Sequence, residues 1–212
     1  MTEVANRKNE KYYLPHGRIY PSVTTILSVI AKPGLMPWAT RITAQVMKAN
    51  RDMDVEAAAT TYKDIGHNAA VRGTEVHRII QEEAEYIPEK LKGFIDAYHK
   101  WVEKEGIKVE ARELTVFSDE NKYAGTLDLT CTDKARKMWI VDIKTGGVYA
   151  EHFLQLEAYR AALEEMGTPG LWSTGILKLS ADGSYTFITR KEDLSTFLAA
   201  KKIWEWKQKA GM

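Results

Sequence analysis

The chain has 212 residues, an apolar fraction of 44% and a near-balanced charge, 30 Lys and Arg against 29 Asp and Glu, for a net +1. That length suits one globular domain, and the charge excludes a globally basic surface, so any nucleic-acid contact must rest on local patches. Cys131 is the single cysteine, which excludes an internal disulfide framework and a four-cysteine iron–sulfur cluster.

No run approaches the ~20 apolar residues of a membrane span. The opening MTEVANRKNEKYY has no apolar signal core, so a soluble, cytoplasmic protein is expected. Residues 1–11 read as loose. Tyr12–Leu14 and Arg18–Tyr20 read as a strand pair across Pro15-His16-Gly17. Ser22 is a good N-cap, and Val23, Ile26, Leu27 and Ile30 follow at helical spacing until Lys32-Pro33-Gly34. Pro37 is expected to open a second helix reaching about Asn50, with Trp38, Ile42 and Val46 on its apolar side. Residues 54–66 read as a third helix, broken by Gly66-His67-Asn68, and 69–85 as a fourth. Pro88–Glu105 is strongly amphipathic and stops at Gly106.

Ile107–Phe117 is then a first strand, on which Glu113 faces away from Leu114 and Val116. Tyr123–Cys131 is a second, with Leu127 and Leu129 placed on one face and Asp128 on the other. After the polar turn 133–136, Met138–Ile143 is a third, and Asp142 and Lys144 share a face by the two-residue period. A hairpin brings Asp128 near Asp142. Most charged strand residues are simply solvated, but Asp142 lies inside Trp139-Ile140-Val141-Asp142-Ile143, and an acid in an apolar run calls for a reason such as metal ligation. Glu151–Met166 is a helix placing Gln155 and Tyr159 on one face, with Gly167 as its C-cap. Leu171–Leu179 and Tyr185–Thr189 flank a hairpin turn at 181–184, and Leu194–Lys209 closes the chain as a helix offering Leu198, Ile203 and Trp206 for packing.

Three groups of residues carry a resemblance. Gly125-Thr126-Leu127-Asp128, then Asp142-Ile143-Lys144, then Gln155-x-x-x-Tyr159 resemble, in order and spacing, the GxxD, (D/E)xK and QxxxY motifs of the PD-(D/E)XK nuclease superfamily in its RecB-like branch. Arg72-Gly73-Thr74-Glu75-Val76-His77 is similar to that branch's upstream histidine motif. Pro21–Leu27 resembles a segment of phage and mitochondrial-genome-maintenance exonucleases, and the whole resemblance covers residues 20–160.

The resemblance implies an α/β fold: a restriction-endonuclease-like core with a mixed β-sheet flanked by helices over 66–212, after an N-terminal helical extension over 1–65. It implies a Mg²⁺- or Mn²⁺-dependent deoxyribonuclease working from a free DNA end, in phage DNA processing, recombination or repair. His77, Asp128, Asp142 and the Ile143 carbonyl would hold the metal, and Lys144 would activate or orient the attacking water. Gln155 and Tyr159 would position the DNA backbone or the lysine, and a glutamate such as Glu113 would stand near in a supporting role. Ser22, Thr24, Thr25 and Arg72 would contact DNA, and a single-strand annealing or binding protein is an expected partner. Three alternatives stay open: a structure-selective endonuclease, a non-catalytic DNA-binding module, and a phosphatase using the same acids.

Overall fold

A computed structural model describes residues 6–8, 11–14, 17–168 and 170–211, with residues 6–8 described as backbone only. The Pro15-His16 part of the expected first turn lies outside the described residues. The molecule is a mixed α/β structure whose centre is a five-stranded sheet in the order β4-β5-β6-β7-β8. These strands are β4 (Lys108–Ser118), β5 (Tyr123–Thr132), β6 (Met138–Lys144), β7 (Ser173–Leu179) and β8 (Tyr185–Ile188). All neighbours pair antiparallel except β6 and β7, which are parallel. A parallel pair needs a crossover, and helix α5 (Ala150–Glu165) supplies it.

Helices cover both faces, as the sequence leads one to expect. On one side lie α1 (Val23–Leu27), α5 and α6 (Leu194–Lys209), packed through Val23, Ile26, Leu156 and Phe197 onto Leu127, Ile140 and Ile176. On the other lie α3 (Val55–Glu82) and α4 (Lys92–Glu105), packed through Val76, Ile79, Phe94 and Trp101 onto Leu129, Val141, Ile143 and Leu177. Helix α5 is buried nearly all round, because it lies between the sheet and α1 and α6. A small sheet, β1 (Asn6–Lys8), β2 (Lys11–Tyr13) and β3 (Ile19–Pro21), packs Tyr12, Leu14 and Tyr20 against Ala124.

Several elements differ from the sequence reading. The segment read as loose contains β1, which pairs with β2. Helix α1 ends at Leu27, a turn before Lys32, and α2 (Leu35–Ala49) begins two residues before Pro37. The expected break at Gly66-His67-Asn68 is absent: α3 runs unbroken through it. A glycine in a helix costs about 1 kcal/mol, and a Cβ at Gly66 would meet Trp38 of α2 at 3.8 Å, an ordinary van der Waals contact, so this position does not require glycine. That indole, half-buried, meets Tyr62 edge to face. On α6, Phe197 and Ala200 face the core, whereas Ile203 and Trp206 are exposed.

Leu127 and Leu129 do not share a face. Leu127 packs toward α5 and Leu129 toward α4. The alternation slips at the Glu113/Asp128 position, where Glu113 holds a left-handed φ of 49° in mid-strand. A non-glycine residue in that conformation costs of order 1–3 kcal/mol and tends to persist at functional sites.

Candidate metal and catalytic site

Strand β6 ends in Val141-Asp142-Ile143-Lys144, and its neighbours converge on that end. Register pairs Leu129 with Val141, which sets Asp128 opposite Asp142. Asp128 Oδ2 accepts a hydrogen bond from the Ile143 N–H at 2.6 Å, so the carboxylate is tied to the strand that carries the second acid. Helix α3 passes close to the loop after β6 at Gly73, where an added Cβ would lie 3.3 Å from Thr145 Oγ1. That close approach brings His77 to the strand end. His77 Nε2 lies 2.9 Å from the Ile143 carbonyl oxygen and Nδ1 lies 3.5 Å from Asp128 Oδ1.

The donor set His77, Glu113 and Asp128 offers one ligand atom each, all within 4.8 Å of one another. One imidazole nitrogen with carboxylate oxygens is a donor set that could hold a divalent cation. The electrostatics fit a cation too. Burial raises the Glu113 pKa, and the Asp128 carboxylate raises it further. Burial also pushes Asp142 up, and Asp128 adds to it, although Lys144 opposes both. Burial works against the charge on Asp128 as well, but His77, Lys144 and the Ile143 N–H outweigh it and hold that carboxyl below its ordinary value. Carboxylates crowded in a dry site repel one another unless a cation joins them.

Glu113 is the ligand candidate that sequence reasoning underweighted. Its strand parity was legible; the register that sets it opposite Asp128, and its left-handed backbone, were not. Asp142 stands outside the compact three-residue cluster. Its Oδ2 pairs with the Lys144 ammonium, and that oxygen is buried without a hydrogen bond of good geometry. Burial opposes the charge on Lys144, but Asp142 and Asp128 overcome it and raise the lysine pKa.

The helix after β6 completes the site. Gln155 donates from Nε2 to Asp142 Oδ1 at 2.9 Å and to the Tyr159 hydroxyl at 3.3 Å. Gln155 and Tyr159 are both buried, one helical turn apart. The glycine of the GxxD stretch now has a physical cause: a Cβ on Gly125 would lie 2.2 Å from Tyr159 Cε1. The motifs resembling GxxD and QxxxY therefore touch each other.

The remaining expected residues are spread more widely. Ser22 caps α1, its Oγ accepting from the Thr25 N–H at 3.0 Å and contacting the Thr24 and Thr25 hydroxyls at 3.1 and 2.7 Å. It is buried beside the Ala124 end of β5, and Thr24 is exposed. Arg72 lies five residues before His77 on α3, with its guanidinium over the Phe94 ring at 5.6 Å. Among the described residues no helix is long and apolar enough to cross a membrane.

No family model matches this chain, and no curated protein matches it. Among solved structures it is similar to an alkaline exonuclease from Laribacter hongkongensis, at 14% identity over 91% of this chain and 93% of that one, with a TM-score of 0.43. A structure of that exonuclease in complex with dAMP matches at 16% identity over the same shares, with a TM-score of 0.41.

Proposed function

We propose that the chain is a divalent-metal-dependent deoxyribonuclease that hydrolyses phosphodiester bonds from a free DNA end. One observation carries this reading: the Lys144–Asp142 ion pair stands at the end of β6 beside the His77, Glu113 and Asp128 donors. Lysine paired to a buried acid, next to an imidazole-and-carboxylate set, matches what phosphodiester hydrolysis requires. The sequence resemblance to RecB-like nucleases supports it independently of that geometry, and it also supports DNA as substrate and the division into an extension over 1–65 and a core over 66–212.

His77, Glu113 and Asp128 would hold a Mg²⁺ or Mn²⁺ ion, with the Ile143 carbonyl and Asp142 at its edge. When bound, the ion lowers the pKa of water and neutralises charge on the phosphate. Lys144 keeps its proton, because Asp142 and Asp128 raise its pKa, so it acts as a charge. Its ammonium orients a water or stabilises the developing charge on a phosphate oxygen. Gln155 fixes the Asp142 carboxylate from behind and ties it to Tyr159. Glu113 joins this set from a mid-strand position whose backbone is held in the left-handed region.

Attack from an end is supported by the long helix α3. Its C-terminal half carries His77, and its N-terminal half packs with α2, so a helical hairpin extends from the site on one rigid element. A strand enclosed by such a hairpin has to be threaded. Incubating linear, supercoiled and single-stranded circular DNA with Mg²⁺ tests this. Linear molecules should be degraded while circles survive; circles cut as fast as linear DNA would make the protein an endonuclease.

A further inference from the structure

Strand β5 is longer than its ladder with β6. Strand β4 runs beside it from Tyr123 to Thr132, whereas β6 pairs with it only over Leu129–Thr132. The stretch from Tyr123 to Asp128, which carries Gly125 and the ligand candidate Asp128, projects past that ladder. Where the two strands part, the Asp128 carboxylate takes the Ile143 N–H, so a side chain joins them in place of backbone pairing. An open strand edge needs a partner. The N-terminal segment supplies one. Ala124 pairs with Phe117 of β4 on one edge, so its parallel bridge to Ser22 lies on the other. Tyr12, Leu14 and Tyr20 pack against the same alanine.

Tyr12 reaches furthest into this junction. It is 2% exposed, and its hydroxyl lies 2.9 Å from Thr126 Oγ1, two residues before Asp128. A buried phenol usually finds a hydrogen-bond partner; this one finds it on the projecting end of β5. The neighbouring strand gives that end little regular support just there. Thr115 pairs with Thr126 and Leu114 with Leu127, and then comes Glu113 with its left-handed backbone. Tyr12 also stands near the rest of the site. Burial above all, then Asp142 and Tyr12, hold the Tyr159 phenol well above its ordinary pKa. Tyr20 of the same small sheet is equally dry, but its hydroxyl donates to Asp119 Oδ1 at 2.7 Å, in the turn between β4 and β5.

We propose that Tyr12 is a positioning residue of the metal site: through Thr126, its hydroxyl holds the projecting end of β5 so that Asp128 stays within ligand range of His77 and Glu113. The small N-terminal sheet is then a working part of the site, although it lies far from the three donors in sequence. The inference rests on the reading of His77, Glu113 and Asp128 as metal donors, but it does not depend on which bond the protein cuts.

The test uses the full chain and two readouts: calorimetric titration with Mn²⁺ in the absence of DNA, and the kinetics of linear-DNA digestion with Mg²⁺. Tyr12→Phe and Thr126→Val each remove one hydroxyl of the pair. Each should weaken Mn²⁺ binding roughly tenfold and lower kcat by a similar factor at unchanged KM, the size of effect expected from a residue behind a metal ligand. The double variant should be no worse than either single one, because both break the same contact. Thr126→Ser keeps the hydroxyl and should restore wild-type values. Tyr20→Phe is the structural control: it should lower the melting temperature about as much as Tyr12→Phe does, and leave Mn²⁺ affinity and kcat unchanged. If Tyr12→Phe does not fold, Thr126→Val against Thr126→Ser decides by the same readouts. Wild-type Mn²⁺ affinity in the folded Tyr12→Phe variant, an equal loss in Tyr20→Phe, or no Mn²⁺ binding by the wild type would overturn the proposal. Tyr12-dependent Mn²⁺ binding without any cleavage of DNA by the wild type would sink the nuclease reading and leave the positioning assignment standing.

Discussion

At the scale of single residues, the site is defined by what each side chain cannot do elsewhere. His77 lies within reach of both the Ile143 carbonyl and Asp128, and a half-buried imidazole between two acceptors suits a proton or a metal. His77→Ala should therefore weaken Mn²⁺ binding by at least about tenfold in a calorimetric titration, more than it lowers the melting temperature. Unchanged Mn²⁺ affinity in the folded variant would make His77 structural. Gly125 gives a second prediction, about stability. Its alpha carbon faces the Tyr159 ring so closely that a methyl group would overlap Cε1. Gly125→Ala should cost about 1–3 kcal/mol in urea unfolding, the usual range for overpacking a filled core. A cost near zero would mean that the ring has room to move, and that GxxD and QxxxY are not in fixed contact.

At the scale of elements, helix α5 carries the clearest pH-dependent device. The Tyr149 N–H at its start donates to His152 Nδ1 at 3.2 Å, which requires a neutral imidazole. Burial, with the Lys144 and Lys32 charges, lowers the His152 pKa to about 4 from an ordinary 6.5. The unfolded chain therefore binds this proton more readily than the folded one. The contribution is fully present above about pH 6.5 and is lost as pH falls from there toward 4. Urea unfolding at pH 7.5, 6 and 5 should show the wild type losing stability faster than His152→Gln; parallel losses would remove His152 from the account. Much of this element level was legible in the sequence. The 3.6-residue period of Leu91, Phe94, Ile95 and Tyr98 predicts α4, and the β-branched run before Lys144 predicts β6. The two-residue period predicts that Asp142 and Lys144 share a face, and the structure brings the two together. What escaped the sequence depended on contacts or backbone far from ideal. Gly66 reads as a stop in sequence because the packing of α3 against α2, which carries the helix through it, is tertiary. Leu127 and Leu129 looked equivalent because a left-handed Glu113 on the neighbouring strand is invisible to periodicity.

At the scale of the whole molecule, the fold gathers onto one sheet end residues that are 87 positions apart in the chain, from Arg72 to Tyr159 at either flank. Strands β4 to β6 present the acids, α3 crosses one side with His77, and α5 closes the other with Gln155 and Tyr159. The central claim is that this arrangement hydrolyses DNA with Lys144 as its essential ammonium group. The most direct measurement is release of acid-soluble nucleotides from linear DNA by the wild type and by Lys144→Ala, each with Mg²⁺, with Mn²⁺ and with excess EDTA. The wild type should degrade DNA only with metal. The variant should be slowed at least ~100-fold while its far-ultraviolet spectrum and its binding to DNA in EDTA stay unchanged. Cleavage by folded Lys144→Ala at the wild-type rate, or no cleavage by the wild type with either metal, would contradict the account.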